Sequence, residues 1–235
     1  MKPDKKFPLF IVSGASGVGK STMCEILFKK ETDYIVLESD ILWQEVFNTP
    51  QDNYRNFREV WMTMCANVSQ IGMPVVLCGC GIPEQFEICD AREYFTQIHY
   101  LAVVCETPIL GKRMREGRGI QEEDWIRSSV SFNLWLRENA SKTQPQITLL
   151  DNTNLTPEEA AEEADKWIRK QPGLHIPHCR KWQIHSGRFH RNTPEAPSLF
   201  SGQRPASGHR VREACPSCPH RKRAGKARQV FCKYH

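Results

Sequence analysis

The stretch GASGVGKS, Gly14 to Ser21, follows the apolar run Leu9-Phe10-Ile11-Val12 and leads into Thr22-Met23-Cys24, where apolar residues begin to recur at helical spacing. The string is a glycine, four residues, then Gly-Lys-Ser, between a strand and a helix. Its small residues let successive backbone N–H groups converge on one point, and the helix starting near Lys20 adds the positive end of its dipole. An anion fits such a concavity, and this spacing suits a polyphosphate. Lys20 is placed to reach the outer phosphates, and the Ser21 hydroxyl to take one position on Mg²⁺. The candidate cofactor-binding residues are therefore Gly14, Ala15, Ser16, Gly17, Val18, Gly19, Lys20, Ser21 and Thr22.

Outward from the loop, strand-like and helix-like segments alternate up to Lys170. Met23, Ile26 and Leu27 mark one side of the helix after the loop. Tyr34 to Leu37 reads as a second strand ending in Glu38-Ser39-Asp40. From Asp52 to Ile71 the residues Val60, Trp61, Met64, Cys65, Val68 and Ile71 recur at three- and four-residue intervals, and Gly72 stands at the C-cap place. Val75–Cys78 and Tyr100–Val104 read as further strands, and Thr107-Pro108 opens a helix as N-cap and first helical residue. A helix over 124–138 with Trp125, Ile126, Val130 and Trp135 facing inward precedes a fifth strand, Ile147–Leu150. Thr156-Pro157-Glu158-Glu159 is a capping box for the last helix. Strands separated by helices predict a parallel sheet covered on both faces.

Charge divides the chain in two. The 65 residues from Gln171 carry 13 Lys and Arg against 2 Asp and Glu, a balance of +11, whereas the first 170 carry 19 against 25, or −6. That last part holds only nine Leu, Ile, Val and Phe, too little apolar surface to offset the entropy of ordering it. The expected organisation is a domain over 1–170 and a basic tail over 171–235 that is largely disordered. Translation in a shifted frame from near Lys170 is the leading account of the tail. The alternative is a small zinc site, because Cys215, Cys218, Cys232 and His235 have ligand spacing. No eighteen-residue apolar run and no apolar leader occur, so the protein is expected in the cytoplasm, away from membranes, with Cys24, Cys65, Cys78, Cys80, Cys89 and Cys105 as free thiols.

A phosphate loop serves motors, switches and kinases alike, and the other strand ends discriminate. No strand ends in Asp-Glu, as many ATPases require, and no Asn-Lys-x-Asp run for guanine exists. Asp40, just past the second strand, stands where a kinase needs a carboxylate to orient an acceptor hydroxyl, take its proton or hold Mg²⁺ with Ser21. Glu38 is expected to point elsewhere. Arg113 and Arg118, in the run Gly111 to Gly119, suit a closing lid that brings guanidinium groups to the γ-phosphate and excludes water.

Together these residues, with Asp151-Asn152-Thr153-Asn154 after the fifth strand, resemble the nucleoside and nucleotide kinase branch of P-loop kinases. They are similar also to gluconate kinase, shikimate kinase, chloramphenicol phosphotransferase and the kinase part of polynucleotide kinase. The resemblance spans Pro8 to Arg169. It implies the P-loop NTPase fold, a three-layer α/β sandwich with a five-stranded parallel sheet in the order 2-3-1-4-5. It also implies ATP and Mg²⁺ as cofactors and adenine between the lid helix and the loop holding Asn154. Cys80-Gly81-Ile82-Pro83 replaces the substrate-binding residues that adenylate kinase carries after its third strand. Trp43, Phe47, Phe57 and Trp61 instead suit a neutral, partly flat acceptor, with Arg55 and Arg58 as further polar contacts.

The expected function is transfer of the ATP γ-phosphate to a hydroxyl of a small molecule, with a nucleoside as the favoured acceptor, by a monomer or homodimer. Lys20, Asp40, Arg113 and Arg118 are the catalytic candidates. The rivals are a nucleotide-binding regulatory protein without an acceptor, and a nucleic-acid 5′-end kinase tethered by the basic tail.

Overall fold

A computed structural model describes residues 3–30 and 32–174 of the chain. The tail past Leu174, with Cys215, Cys218, Cys232 and His235, lies outside the described residues, and the expectations of disorder and of zinc lie there with it. The described core runs past Lys170, since Leu174 is buried and Gly173 lies against the Pro8 ring.

Five parallel strands form one sheet in the order β2-β3-β1-β4-β5. They are β1 (Phe7–Gly14), β2 (Ile35–Glu38), β3 (Val75–Cys78), β4 (Phe95–Val104) and β5 (Ile147–Asp151). The central strand, β1, pairs with β3 on one side and β4 on the other, and each of its residues is buried. A parallel strand covered on both faces must be apolar along its whole length, and FPLFIVSG meets that condition. β4 begins at Phe95, five residues before the expected Tyr100, and its added part runs beside Phe7 and Leu9.

The covering helices are α1 (Lys20–Lys29), α2 (Arg55–Val68), α3 (Pro83–Glu87), α4 (Thr107–Lys112), α5 (Glu123–Asn139) and α6 (Pro157–Lys170). α2 closes through a short 3₁₀ turn onto Gly72, whose φ of 99° is the left-handed cap that the sequence predicts. α6 starts with the predicted box: Glu159 N–H donates to Thr156 Oγ1, and Thr156 N–H donates to Glu159 Oε2.

In two helices the structure departs from the sequence reading. Thr107 lies inside α4, with Glu106 at the N-cap. In α5 the inward row is Trp125, Ile126, Ser129, Phe132, Asn133 and Leu136, while Val130 and Trp135 are half-buried. Apolarity alone misassigned that face, because Asn133 is buried to fasten β4: it accepts from Cys105 N–H and donates to the Cys105 carbonyl.

All five strands point their C-terminal ends the same way. The phosphate loop, Ser39, Gly79-Cys80-Gly81, Cys105 and Asn152 therefore gather at one edge of the sheet, where ligands bind in open α/β folds.

Candidate functional site

The loop joins β1 to α1 and is held from both sides. On one side Ser13 Oγ donates to the Gly81 carbonyl at 2.6 Å and accepts from Gly81 N–H at 3.2 Å, so the ends of β1 and β3 are tied directly. Gly79 lies so close to β2's end that a Cβ there would stand 2.5 Å from Ser39 Oγ. Trp61, fully buried in α2, donates its indole N–H to the Ser39 carbonyl at 3.0 Å. These contacts fix the mutual position of the loop and the two strand ends beside it.

Within the loop, Gly17 and Gly19 have φ of 82° and 110°, values that L side chains resist. The Lys20 ammonium folds back onto the loop, donating to the Gly14 carbonyl at 2.6 Å and the Ala15 carbonyl at 2.8 Å. The Cys80 thiol donates to the same Gly14 carbonyl at 3.2 Å. Thr22 is exposed on the first turn of α1.

The carboxylate on Ser21 is Glu38, where the sequence reading placed Asp40. Ser21 Oγ donates to Glu38 Oε1 in a short hydrogen bond. β2 ends at Glu38, and the backbone turns into a 3₁₀ helix over Ser39–Leu42. Strict strand alternation therefore does not govern the pair. Asp40 is exposed in that turn, its carbonyl accepts from Trp43 N–H at 3.2 Å, and its carboxylate makes no hydrogen bond or ion pair among the described residues. A hydroxyl beside a carboxylate is a hard oxygen set that fits Mg²⁺.

The two arginines expected in a lid make different contacts. Arg118 reaches the loop's tip, donating to Ser16 Oγ at 2.8 Å with its guanidinium 5.7 Å from the centre of the Trp125 ring. Arg113 instead joins the lid to the loop after β5. Its Nη1 donates to the Val18 carbonyl at 3.1 Å and to Asn152 Oδ1 at 3.0 Å, and its Nη2 to the Asn152 carbonyl at 3.1 Å. Between them, residues Arg113–Gly117 form a turn of π-helix, with Met114 buried against Gly17. Arg115 and Glu123 close the lid's base as an ion pair at 2.9 Å.

Asn154 is exposed, without a hydrogen bond among the described residues. Its neighbour Asn152 is the buried one, and sequence reasoning passed over it. Asp151 anchors that loop: burial raises its pKa, but hydrogen bonds from Thr153 and from Arg137 outweigh this and hold it below the usual carboxylate value.

On the other flank a small cavity of about 10 Å³ is lined by Ser39, Phe57, Arg58, Trp61, Cys80 and Phe86, among others. Phe57 and Trp61 are core residues that also form this wall, whereas Trp43 and Phe47 pack edge-on against Phe57. Arg58 is 4% exposed, and its Nε donates to the Gln85 carbonyl. Arg55 lies outside this wall, paired with Asp90 at 3.0 Å. Among the described residues no cluster of three or more His, Cys, Asp or Glu could hold a metal. All six described cysteines are free thiols, and Cys80 is the one that is not fully buried. A hydrogen bond with Cys24, then burial, raises the Cys78 thiol, and burial pushes the Cys89 thiol up to about 11.

No family model matches the sequence, and no curated protein matches it significantly. Solved structures do resemble it. An unliganded sugar kinase from Janibacter sp. HTCC2649 aligns with a TM-score of 0.55 at 17% identity, over 73% of this chain and 99% of that one. A gluconokinase from Sinorhizobium meliloti 1021 aligns at 0.48 and 16%, over 71% and 100%. A shikimate kinase from Bacteroides thetaiotaomicron aligns at 0.44 and 14%, over 69% and 99%. The likeness to the sugar kinase, with the sheet order, establishes the fold: a five-stranded parallel sheet in the order β2-β3-β1-β4-β5 covered by helices.

Proposed function

We propose that the protein is an ATP-dependent kinase that phosphorylates a hydroxyl of a small molecule. The carrying observation is that the phosphate loop and the pocket share a wall. Cys80 lines the pocket and touches Gly14 of the loop, so a donor phosphate and an acceptor held on the two sides would meet there.

The acceptor oxygen attacks the γ-phosphorus, the bond to the β–γ bridging oxygen breaks, and ADP leaves. Lys20 leaves its carbonyl partners to neutralise the phosphate oxygens, and the loop amides hold them. Ser21 and Glu38 would hold Mg²⁺, which supplies charge neutralisation on the phosphates when bound. Asp40, exposed and unengaged, orients the acceptor hydroxyl and takes its proton. Arg118 stabilises charge on the transferring group from the lid.

Phe57, Trp61 and Phe86 offer the acceptor an apolar body site, which supports a nucleoside. Arg58, a permanent cation in the same wall, supports an acceptor with an anionic or strongly polar group instead, and this observation favours sugar acids and hydroxy acids. Six free thiols and the absence of a helix long and apolar enough to cross a membrane, among the described residues, agree with a cytoplasmic setting.

The test is ADP release from Mg-ATP against a panel of nucleosides, sugars, sugar acids, hydroxy acids and 5′-hydroxyl oligonucleotides. One class should stimulate release, and Lys20→Ala should lower it by about 10³-fold with the circular dichroism spectrum unchanged. Tight ATP binding with no stimulation by any acceptor would turn the reading to a nucleotide-binding regulator.

A further inference from the structure

Three segments far apart in the sequence close a ring on one backbone oxygen. The Val18 carbonyl, inside the phosphate loop, accepts from Asn152 Nδ2 at 2.8 Å and from Arg113 Nη1 at 3.1 Å. Arg113 then returns to Asn152 twice, through Oδ1 and through the main-chain carbonyl. Asn152 is 6% exposed, and its own N–H is taken by the Val104 carbonyl at 2.9 Å, so β4's end seats it. Gly19 completes the fit, because a Cβ there would stand 3.3 Å from Asn152 Nδ2.

We infer that Asn152 and Arg113 are positioning residues that hold the phosphate loop in its nucleotide-binding shape, by fastening the loop after β5 and the residues that begin at Arg113 to the Val18 carbonyl. The inference rests on the reading that the loop binds a nucleoside triphosphate. It assigns Arg113 a different task from the expected one of meeting the γ-phosphate. Its three donor contacts go to the Val18 carbonyl, Asn152 Oδ1 and the Asn152 carbonyl, whereas Arg118 is the arginine that reaches Ser16. Hydrogen bonds from a charged donor to carbonyls in a half-buried place are strong and directional, so the ring resists opening. A clamp of this kind acts alike on every nucleotide whose α- and β-phosphates the loop holds. It is indifferent to the γ-phosphate.

That indifference separates a clamp from a catalytic arginine. Calorimetry with the full chain would measure the affinities of Mg-ATP and Mg-ADP for the wild type, Asn152→Ala, Arg113→Lys and the double variant, with Arg118→Lys alongside. The expected result is that Asn152→Ala and Arg113→Lys each weaken ATP and ADP by the same factor, about tenfold. The double variant should lose less than the product of the two, because one ring is broken in each. Arg118→Lys should weaken ATP more than ADP. Selective loss of ATP affinity in Arg113→Lys would overturn the inference and return Arg113 to the γ-phosphate. Unchanged affinities in both single variants would overturn it as well. A wild type that binds neither nucleotide would overturn the donor reading and this inference with it. Thermal unfolding of each variant separates these results from misfolding, and Arg113→Lys, which keeps charge and length, guards against it.

Discussion

The Ser21 hydroxyl and the Glu38 carboxylate lie against each other at the first turn of α1, and this contact redistributes the roles of two acidic residues. On the proposed reading Glu38 would hold the metal with Ser21 and Asp40 would meet the acceptor. Replacing Glu38 by Gln keeps the shape but removes the charge, so the Mg²⁺ needed for half-maximal ADP release should rise about 10- to 100-fold. Asp40→Asn should instead lower kcat by about 10²- to 10⁴-fold with the Mg²⁺ requirement retained. A Mg²⁺ titration of both variants checks this, and an exchange of the two phenotypes would give the metal to Asp40. The sequence held the clue in Glu38-Ser39-Asp40. What it did not hold was the place where the strand ends, since a 3₁₀ turn beginning at Ser39 changes where each carboxylate goes. Asn152 and Asn154 pose the same difficulty: two asparagines two residues apart look alike until the fold buries one of them.

At the scale of elements, the lid and the phosphate loop make a packed joint. Gly17 sits under the π turn, and a Cβ at that residue would collide with the Met114 side chain, at a φ of 82° that already disfavours any other residue. Gly17→Ala should therefore cost about 1–3 kcal/mol of stability and push the lid off the loop. Urea unfolding and ATP calorimetry on one preparation would show both effects, and a variant with wild-type affinity would mean that the joint yields without consequence. The sequence marked Gly111 to Gly119 as a lid, and the structure brings Arg113 and Arg118 of that run into contact with the phosphate loop. The π turn was not, because i→i+5 hydrogen bonding leaves no periodic trace in five residues. α3 was missed for a related reason: with five residues it offers too few positions for a helical period.

At the scale of the whole molecule, the sheet makes stability depend on pH through His99. It is 7% exposed on β4, stacked on Phe10 with ring centres 5.2 Å apart, and its Nε2 has no hydrogen-bond partner among the described residues. Burial lowers its pKa below the ordinary 6.5, with the Pro172 backbone acting in the opposite sense. The unfolded chain then binds a proton that the folded chain resists. The stability tied to neutral His99 is complete above pH 6.5 and is lost as the pH falls below it, with a slope of at most about 1.4 kcal/mol per pH unit. His99→Phe should preserve the stack and flatten that slope, which urea unfolding at pH 7.5 and 5.5 would reveal. Equal slopes in the two proteins would show that His99 does not sense the fall.

The sequence by itself marked the five strands, the longer helices and the phosphate loop, and missed α3 and the π turn. Strand and helix periods are local, and the Gly14 to Ser21 spacing encodes a backbone shape that needs nothing distant to form. The sheet order came through resemblance, since short strands of similar apolarity carry no mark of their neighbours. Tertiary structure alone decided which carboxylate meets Ser21, which arginine reaches Ser16, and that Arg58, Trp61 and Cys80 share a pocket. Those choices depend on where chain segments 17 to 134 residues apart come to rest, which the order of residues does not record.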